Sequence, residues 1–197
     1  MVPSPEPTLT DSPELPPSGE LYYIIPLSFT PKWKLELTNA TGDVIYRVSR
    51  RPTAPPLYLI QPVSGDEPLA SLTIRVKVSN RDVRFILYKG EERLYIMRLN
   101  ITKQQFLVQN SSREILARFI PITPEITLLR TIIGNVARIR AKVHPSPIGV
   151  TMECKITQPQ KWLLPVLLYA IARIEEVISA PPHEKEPTAE SAEIDAP

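Results

Sequence analysis

The stretch KWLLPVLLYAIARIEEVI, residues 161–178, decides the fold of this chain. From Trp162 to Ala172 it has eleven consecutive residues without a charged side chain. A helix that is apolar on every side is a buried helix. Twelve to eighteen residues in helical geometry span about 18–27 Å, which is enough to thread a small barrel. Pro165 fits such a helix in its first turn or at a kink.

After Ala172 the stretch becomes one-sided, because Arg173, Glu175 and Glu176 alternate with apolar residues. We therefore expect this end of the helix to meet solvent. A membrane span needs roughly 18 or more apolar residues, and no run in the sequence reaches that length. An interfacial membrane helix would show a polar face along its whole length, and this stretch shows none before Arg173.

Residues 21–157 follow a different period, with apolar and polar side chains alternating. In LTIRVKVS (72–79) and VARIRAKV (136–143), every second residue is apolar and the others are mainly basic. This alternation is typical of strands with one buried and one exposed face. Clusters of Gly, Asn, Asp, Ser and Pro separate the segments. The pattern predicts about twelve strands, near 21–26, 33–38, 43–50, 57–61, 69–78, 82–89, 92–100, 104–110, 113–120, 125–132, 135–143 and 149–157.

Twelve consecutive antiparallel strands leave two exposed edges unless the sheet closes into a barrel. A barrel of that size is too wide for its own side chains to fill. The sequence therefore predicts a mainly β fold, a closed antiparallel barrel of about twelve strands around the C-terminal hydrophobic helix. This barrel domain is expected to span residues 21–179.

The two tails differ from the body in composition and charge. Residues 1–20 and 180–197 are rich in proline and acidic residues and each carries a net charge of −4, whereas residues 21–179 carry +10. Neither tail has enough apolar residues to offset the entropy of ordering it, so both are predicted to be disordered. A basic body suggests an anionic partner, for which the acidic tails would compete.

Several segments resemble one known group of proteins. DVRFILYKGEERLYIMRL (82–99), FLVQNSSREILARF (106–119), GNVARIRAKV (134–143) and the closing helix (161–178) are similar in spacing and hydrophobicity to the tubby-like barrel superfamily. That superfamily includes tubby C-terminal domains, phospholipid scramblases and LURP-one-related proteins. The resemblance covers residues 21–179 and implies a closed barrel around a helix, with lipid-related or regulatory binding. The sequence lacks the acidic loop pattern proposed to bind calcium in scramblases.

Residues suited to catalysis or metal binding are few. The body has one histidine, His144, in a proline-held turn, and one cysteine, Cys154, on the apolar side of its strand. A cysteine–histidine pair must face one pocket, and the spacing does not bring these two together. The acidic pairs 66–67 and 91–92 lie in predicted turns, and a hard-cation site needs more oxygen ligands than a single pair. We expect no enzymatic activity, metal or cofactor.

Basic residues that share a strand face are the main functional signal. Such a basic ladder repels itself until an anion lies close. Arginine suits phosphate because its planar guanidinium binds two oxygens at once. The predicted ligand-binding residues are Arg75, Lys77, Arg138, Arg140 and Lys142.

Three functions agree with this pattern. The first is a non-enzymatic domain that binds anionic phospholipid head groups at a cytoplasmic membrane surface. The second is a protein-interaction or structural barrel, with the P-x-x-P motif at 13–17 as a docking site. The third, phospholipid translocation, follows from the resemblance alone. The ladders lack interleaved exposed aromatics, which argues against nucleic acid. The single cysteine and the absence of a secretory signal at the N-terminus favour a cytoplasmic, membrane-peripheral location.

Overall fold

Twelve antiparallel strands and one helix make up the described part of the chain. A computed structural model describes residues 19–28, 33–63, 72–143 and 150–179. Each strand pairs with its neighbours in sequence, and the first strand pairs with the last, so the sheet closes into a barrel. The predicted fold class is confirmed. The elements are β1 (Glu20–Ser28), β2 (Lys34–Asn39), β3 (Val44–Arg51), β4 (Leu57–Pro62), β5 (Leu72–Val78), β6 (Asp82–Lys89), β7 (Glu92–Asn100), β8 (Gln105–Gln109), β9 (Ile115–Pro121), β10 (Ile126–Thr131), β11 (Gly134–Val143), β12 (Val150–Ile156) and α1 (Pro159–Ser179).

The alternating pattern sets which side chains face the barrel interior. In β5, Leu72, Ile74 and Val76 are buried in the core, and Arg75 between them is exposed. Val78 continues the apolar series, but it ends the strand at the rim and is 70% exposed. Successive side chains of a strand point to opposite faces, so the basic residues between the core positions lie on the outer wall.

Helix α1 occupies the interior of the barrel. Every residue from Val166 to Ala172 is buried within the hydrophobic core. The Tyr169 ring stacks on Phe119 of β9 at 4.3 Å between centroids. On the other side, Glu175 contacts Arg50 of β3 and Tyr58 of β4. The strand order separates β3 from β9 by half the circumference, so these contacts place the helix between opposite walls.

The helix differs from the sequence-based expectation at Glu175, and of the two places expected for Pro165 the structure excludes the first turn. Pro165 is the seventh helical residue and lies past the first turn, where proline cannot donate the usual backbone hydrogen bond. Glu175 does not point into solvent: only 15% of its side chain is exposed, and Arg50 Nη1 lies 3.2 Å from its Oε1. Burial, and then the hydrogen bond to Glu175, raises the pKa of Tyr58. Arg173 and Glu176 are 41% and 52% exposed and meet solvent, as predicted.

The barrel has two distinct ends. Helix α1 begins at the near end, which also carries the turns 40–43, 110–114 and 132–133. It finishes at the far end, beside the turns 79–81 and 122–125. Within the described residues, α1 falls short of the apolar length needed to cross a bilayer. Residues 1–18 and 180–197 lie outside the described residues, as does His144. They make up both predicted tails except Gly19 and Glu20, and Glu20 belongs to β1.

Candidate functional site

The structure separates the two predicted basic ladders. Arg75 and Lys77 lie on the outer face of β5, and Arg138, Arg140 and Lys142 lie on the outer face of β11. In a closed ring of twelve strands, β5 and β11 are six strands apart. The ladders therefore lie on opposite walls and do not form one surface. Alternation within a strand predicts inward or outward orientation, but not the position of a strand around the barrel.

The β5 wall carries its own negative charge. The Asp82 carboxylate lies 3.0 Å from Arg84 Nη2 and 2.5 Å from Arg98 Nε, and only 4% of its side chain is exposed. A hydrogen bond from the Ser79 hydroxyl and the adjacent guanidinium of Arg84 lower the pKa of Asp82 despite its burial. Register pairing places Lys77 directly opposite Arg84. Arg84 and Arg98 therefore share the buried carboxylate of Asp82.

The remaining β5 ladder residue makes an aromatic contact. The Arg75 guanidinium carbon lies 4.9 Å from the centroid of the Tyr88 ring on β6. A cation over an aromatic face is attracted by the negative charge of the ring's π-system. On the outer wall at β5 and β6, Arg75 and Arg84 are thus held in contacts within the protein.

The β11 ladder divides into one paired and two unpaired residues. Lys142 Nζ lies 2.5 Å from Glu153 Oε2 on β12, so its charge is balanced. Arg138 lies opposite Leu128 of β10 and Lys155 of β12 in the strand register. Arg138 and Arg140 have no ion pair with any described acid. Arg138 and Arg140 therefore remain candidates for binding an anion, and Lys142 does not.

Two arginines that the sequence analysis did not single out extend this surface. Arg118 of β9 and Arg130 of β10 are direct cross-strand partners, and both are exposed on the outer face. Cβ atoms of such partners are about 4.5–5.5 Å apart. Arg130 Nε donates to Asn135 Oδ1 at 3.0 Å, and neither guanidinium has an ion pair among the described residues. We call the set formed by Arg118, Arg130, Arg138 and Arg140 the arginine face.

Apolar residues lie beneath the arginine face. Leu128 sits on the outer side of β10, between Ile120 and Arg138 in register, yet only 2% of it is exposed. Neighbouring side chains of the outer wall must therefore cover it, and arginine is suited to this because its aliphatic stem can cover apolar surface while its head group stays in water. Strands β9 to β12 together hold six basic residues and one acid, Glu153. This wall therefore carries a strong excess of positive charge.

A cavity at the far end is less suited to bind an anion. It has a volume of about 310 Å³ and lies between the C-terminal half of α1 and β7–β10, with Phe106, Phe119 and Tyr169 in its wall. Its charged residues, Arg173 and Glu176, pair with each other at 2.8 Å. The hydroxyl groups of Tyr169 and Thr127 hydrogen-bond at 2.9 Å. The polar groups in this cavity thus already have partners within the protein.

Of the remaining candidates from the sequence, Cys154 is accounted for by packing, whereas His144 and the acidic pair 66–67 lie outside the described residues. Cys154 is fully buried, as predicted from its inward position on β12, and burial raises the pKa of its thiol. The described residues include no cluster of three His, Cys, Asp or Glu side chains that would hold a metal ion. The chain as described is thus a closed β-barrel around a central helix, with one strongly cationic wall.

No protein-family model, curated protein or solved structure matches this chain. The resemblance to tubby-like barrels therefore stays a prediction from the sequence, and the functional argument depends on the arginine face.

Proposed function

We propose that the arginine face binds the anionic head groups of phospholipids at a membrane surface. The observation that carries this proposal is the cross-strand pair Arg118 and Arg130, next to Arg138 and Arg140, with no ion-pair partner among the described acids. Like charges placed directly opposite each other destabilise a sheet. An anion in contact with both guanidinium groups removes that repulsion.

The chemistry of the side chains favours phosphate as the anion. Each guanidinium offers two parallel N–H donors to phosphate oxygens. A basic residue near an anionic membrane contributes about 1 kcal/mol of binding free energy, so four arginines supply roughly 4 kcal/mol. Their spread over the three adjacent strands β9–β11 presents several contacts at once. Many weak contacts suit a membrane, which offers many head groups, better than a single small ligand.

The proposal differs from the sequence-based site in its residues. It retains Arg138 and Arg140, adds Arg118 and Arg130, and assigns no part to Lys142, Arg75 or Lys77. Lys142 is paired with Glu153, and Arg75 and Lys77 lie on the opposite wall. Phospholipid translocation has no specific support from the geometry and stays a prediction from the resemblance.

Vesicle sedimentation tests the proposal directly. The full chain is mixed with vesicles of neutral, phosphatidylserine-containing or phosphoinositide-containing composition, across a series of salt concentrations. We expect binding to both anionic compositions at low salt, weakening as salt screens the charges. The double variant Arg118→Ala and Arg130→Ala should lose about 2 kcal/mol, or roughly 30-fold in partition coefficient.

The opposite wall supplies a matched control. Arg51→Ala with Lys77→Ala removes the same two charges from β3 and β5, which lie five strands away from β10 on either side. This variant should bind as well as the unchanged protein. If the protein binds none of the vesicles at low salt, the proposal is wrong, and the alternative of a protein-interaction barrel becomes the better one.

A further inference from the structure

The turn between β10 and β11 carries two adjacent isoleucines on the outside of the protein. Ile132 is 101% exposed and Ile133 is 75% exposed. The turn is ordered by local contacts: the Ile133 amide donates to Thr131 Oγ1 at 3.3 Å, and Gly134 has a φ of +117°. Residues other than glycine rarely adopt that backbone conformation. The turn therefore holds two aliphatic side chains in water, at the tip of a rigid hairpin.

This pair is unusual even among the exposed apolar residues of the described chain. At the far end, Val78, Ile101 and Ile122 are also exposed, but Val78 ends strand β5 and the other two lie in separate turns. Single exposed aliphatic residues are normal on protein surfaces. Among the described residues, the 131–134 turn alone places two in sequence. Ile115, at the start of the neighbouring strand β9, is 48% exposed as well.

The isoleucine pair adjoins the arginine face. Arg130 precedes Ile132 by two residues, so their Cα atoms are at most about 7 Å apart. Arg118 lies opposite Arg130, and a groove of about 340 Å³ joins both arginines to Ile115 and Ile132. Aliphatic side chains therefore occupy the tip of the hairpin, and the guanidinium groups of Arg118 and Arg130 lie next to it on the strands. A bilayer surface has the same order, with acyl chains below and phosphates above.

We propose that the Ile132–Ile133 tip inserts into the acyl boundary of an anionic membrane while Arg118 and Arg130 contact the head-group phosphates. This inference rests on the proposed function and adds the orientation of the bound protein, with the near end of the β9–β11 wall facing the membrane. Interfacial elements reach about 5–10 Å below the head groups. The distance of at most about 7 Å between Arg130 and Ile132 falls within that depth.

A fluorescent probe at the tip tests this inference. The chain has one cysteine, Cys154, and it is fully buried. A cysteine introduced by Ile132→Cys can therefore be labelled selectively with an environment-sensitive fluorophore in the otherwise natural protein. On binding phosphatidylserine-containing vesicles, the emission should shift to the blue and become sensitive to a quencher attached to the lipid acyl chains. The same label at Val78→Cys, exposed at the other end of the barrel, should show neither change.

Sedimentation of the same samples separates the two proposals. If the protein sediments with anionic vesicles but the Ile132 probe stays in water, or the Val78 probe is quenched equally, tip insertion is wrong and head-group binding stands. If the protein sediments with no vesicles at low salt, both proposals are wrong. The double variant Ile132→Ser and Ile133→Ser should bind about 10- to 100-fold more weakly, with an unchanged melting temperature. Unchanged binding of that variant would also overturn the inference.

Discussion

Shortening Leu167 to alanine tests whether α1 fills the barrel. Leu167 lies near the middle of the helix and has no exposed surface. The substitution removes buried apolar atoms and leaves a cavity that a closed wall of strands cannot collapse to fill. Leucine-to-alanine changes in such sites lower the free energy of unfolding by about 2–5 kcal/mol. We expect a loss in the upper half of this range, because strands surround the helix on all sides.

Equilibrium urea unfolding, followed by circular dichroism, measures this loss. Leu163→Ala is the matched control, since Leu163 lies one turn earlier in α1 and is partly exposed beside a groove at the near end. It should cost less than half as much, because part of its surface is already in water. If both variants lose less than about 1 kcal/mol, the helix is not the core of the barrel.

Three further predictions concern single groups. Tyr169→Phe should lower the free energy of unfolding by about 1–3 kcal/mol in urea, since it leaves the buried Thr127 hydroxyl without its partner, and adding Thr127→Val should recover most of that loss. Cys154 should resist alkylation at pH 8 in the folded protein and react once it is unfolded, as mass spectrometry would show; rapid reaction in the folded protein would contradict its burial. The pKa of Asp82 is lowered in the folded state, so the stability that its carboxylate provides is complete above the ordinary value of 3.8 and is lost as pH falls through the folded pKa. The difference in unfolding free energy between the unchanged protein and Asp82→Asn should therefore shrink below pH 4, and a difference that grows in acid would refute this assignment.

Much of the fold follows from the sequence because its two signals are local. A period of two fixes each strand and its inward side, and the uninterrupted apolar run 162–172 can only be buried. No such local signal predicts that the side chain of Glu175 is largely buried. Its contacts come from Arg50 and Tyr58, more than a hundred residues earlier, and no local pattern shows that the barrel brings them together.

The candidate site was harder to predict, because it depends on pairing between strands. Arg118 and Arg130 are the only basic residues of β9 and β10, so a search for ladders within one strand passes over both. The signal lies in the hairpin: its two strands pair symmetrically about residue 124, and Arg118 and Arg130 are each six residues from that position. Conversely, Arg75 and Arg138 look alike in their own strands, and only the ring of twelve strands separates them.

The measurement that tests the central claim most directly compares two charge reversals of equal net charge. Arg118→Glu with Arg130→Glu changes the arginine face, and Arg51→Glu with Lys77→Glu changes the opposite wall. If the position of the charges matters, the first variant should lose about 4 kcal/mol, or roughly a thousandfold, in partitioning to phosphatidylserine-containing vesicles at low salt, and the second should lose little. Equal losses would show that net charge alone drives binding, and would contradict the assignment of the arginine face as the membrane-binding surface.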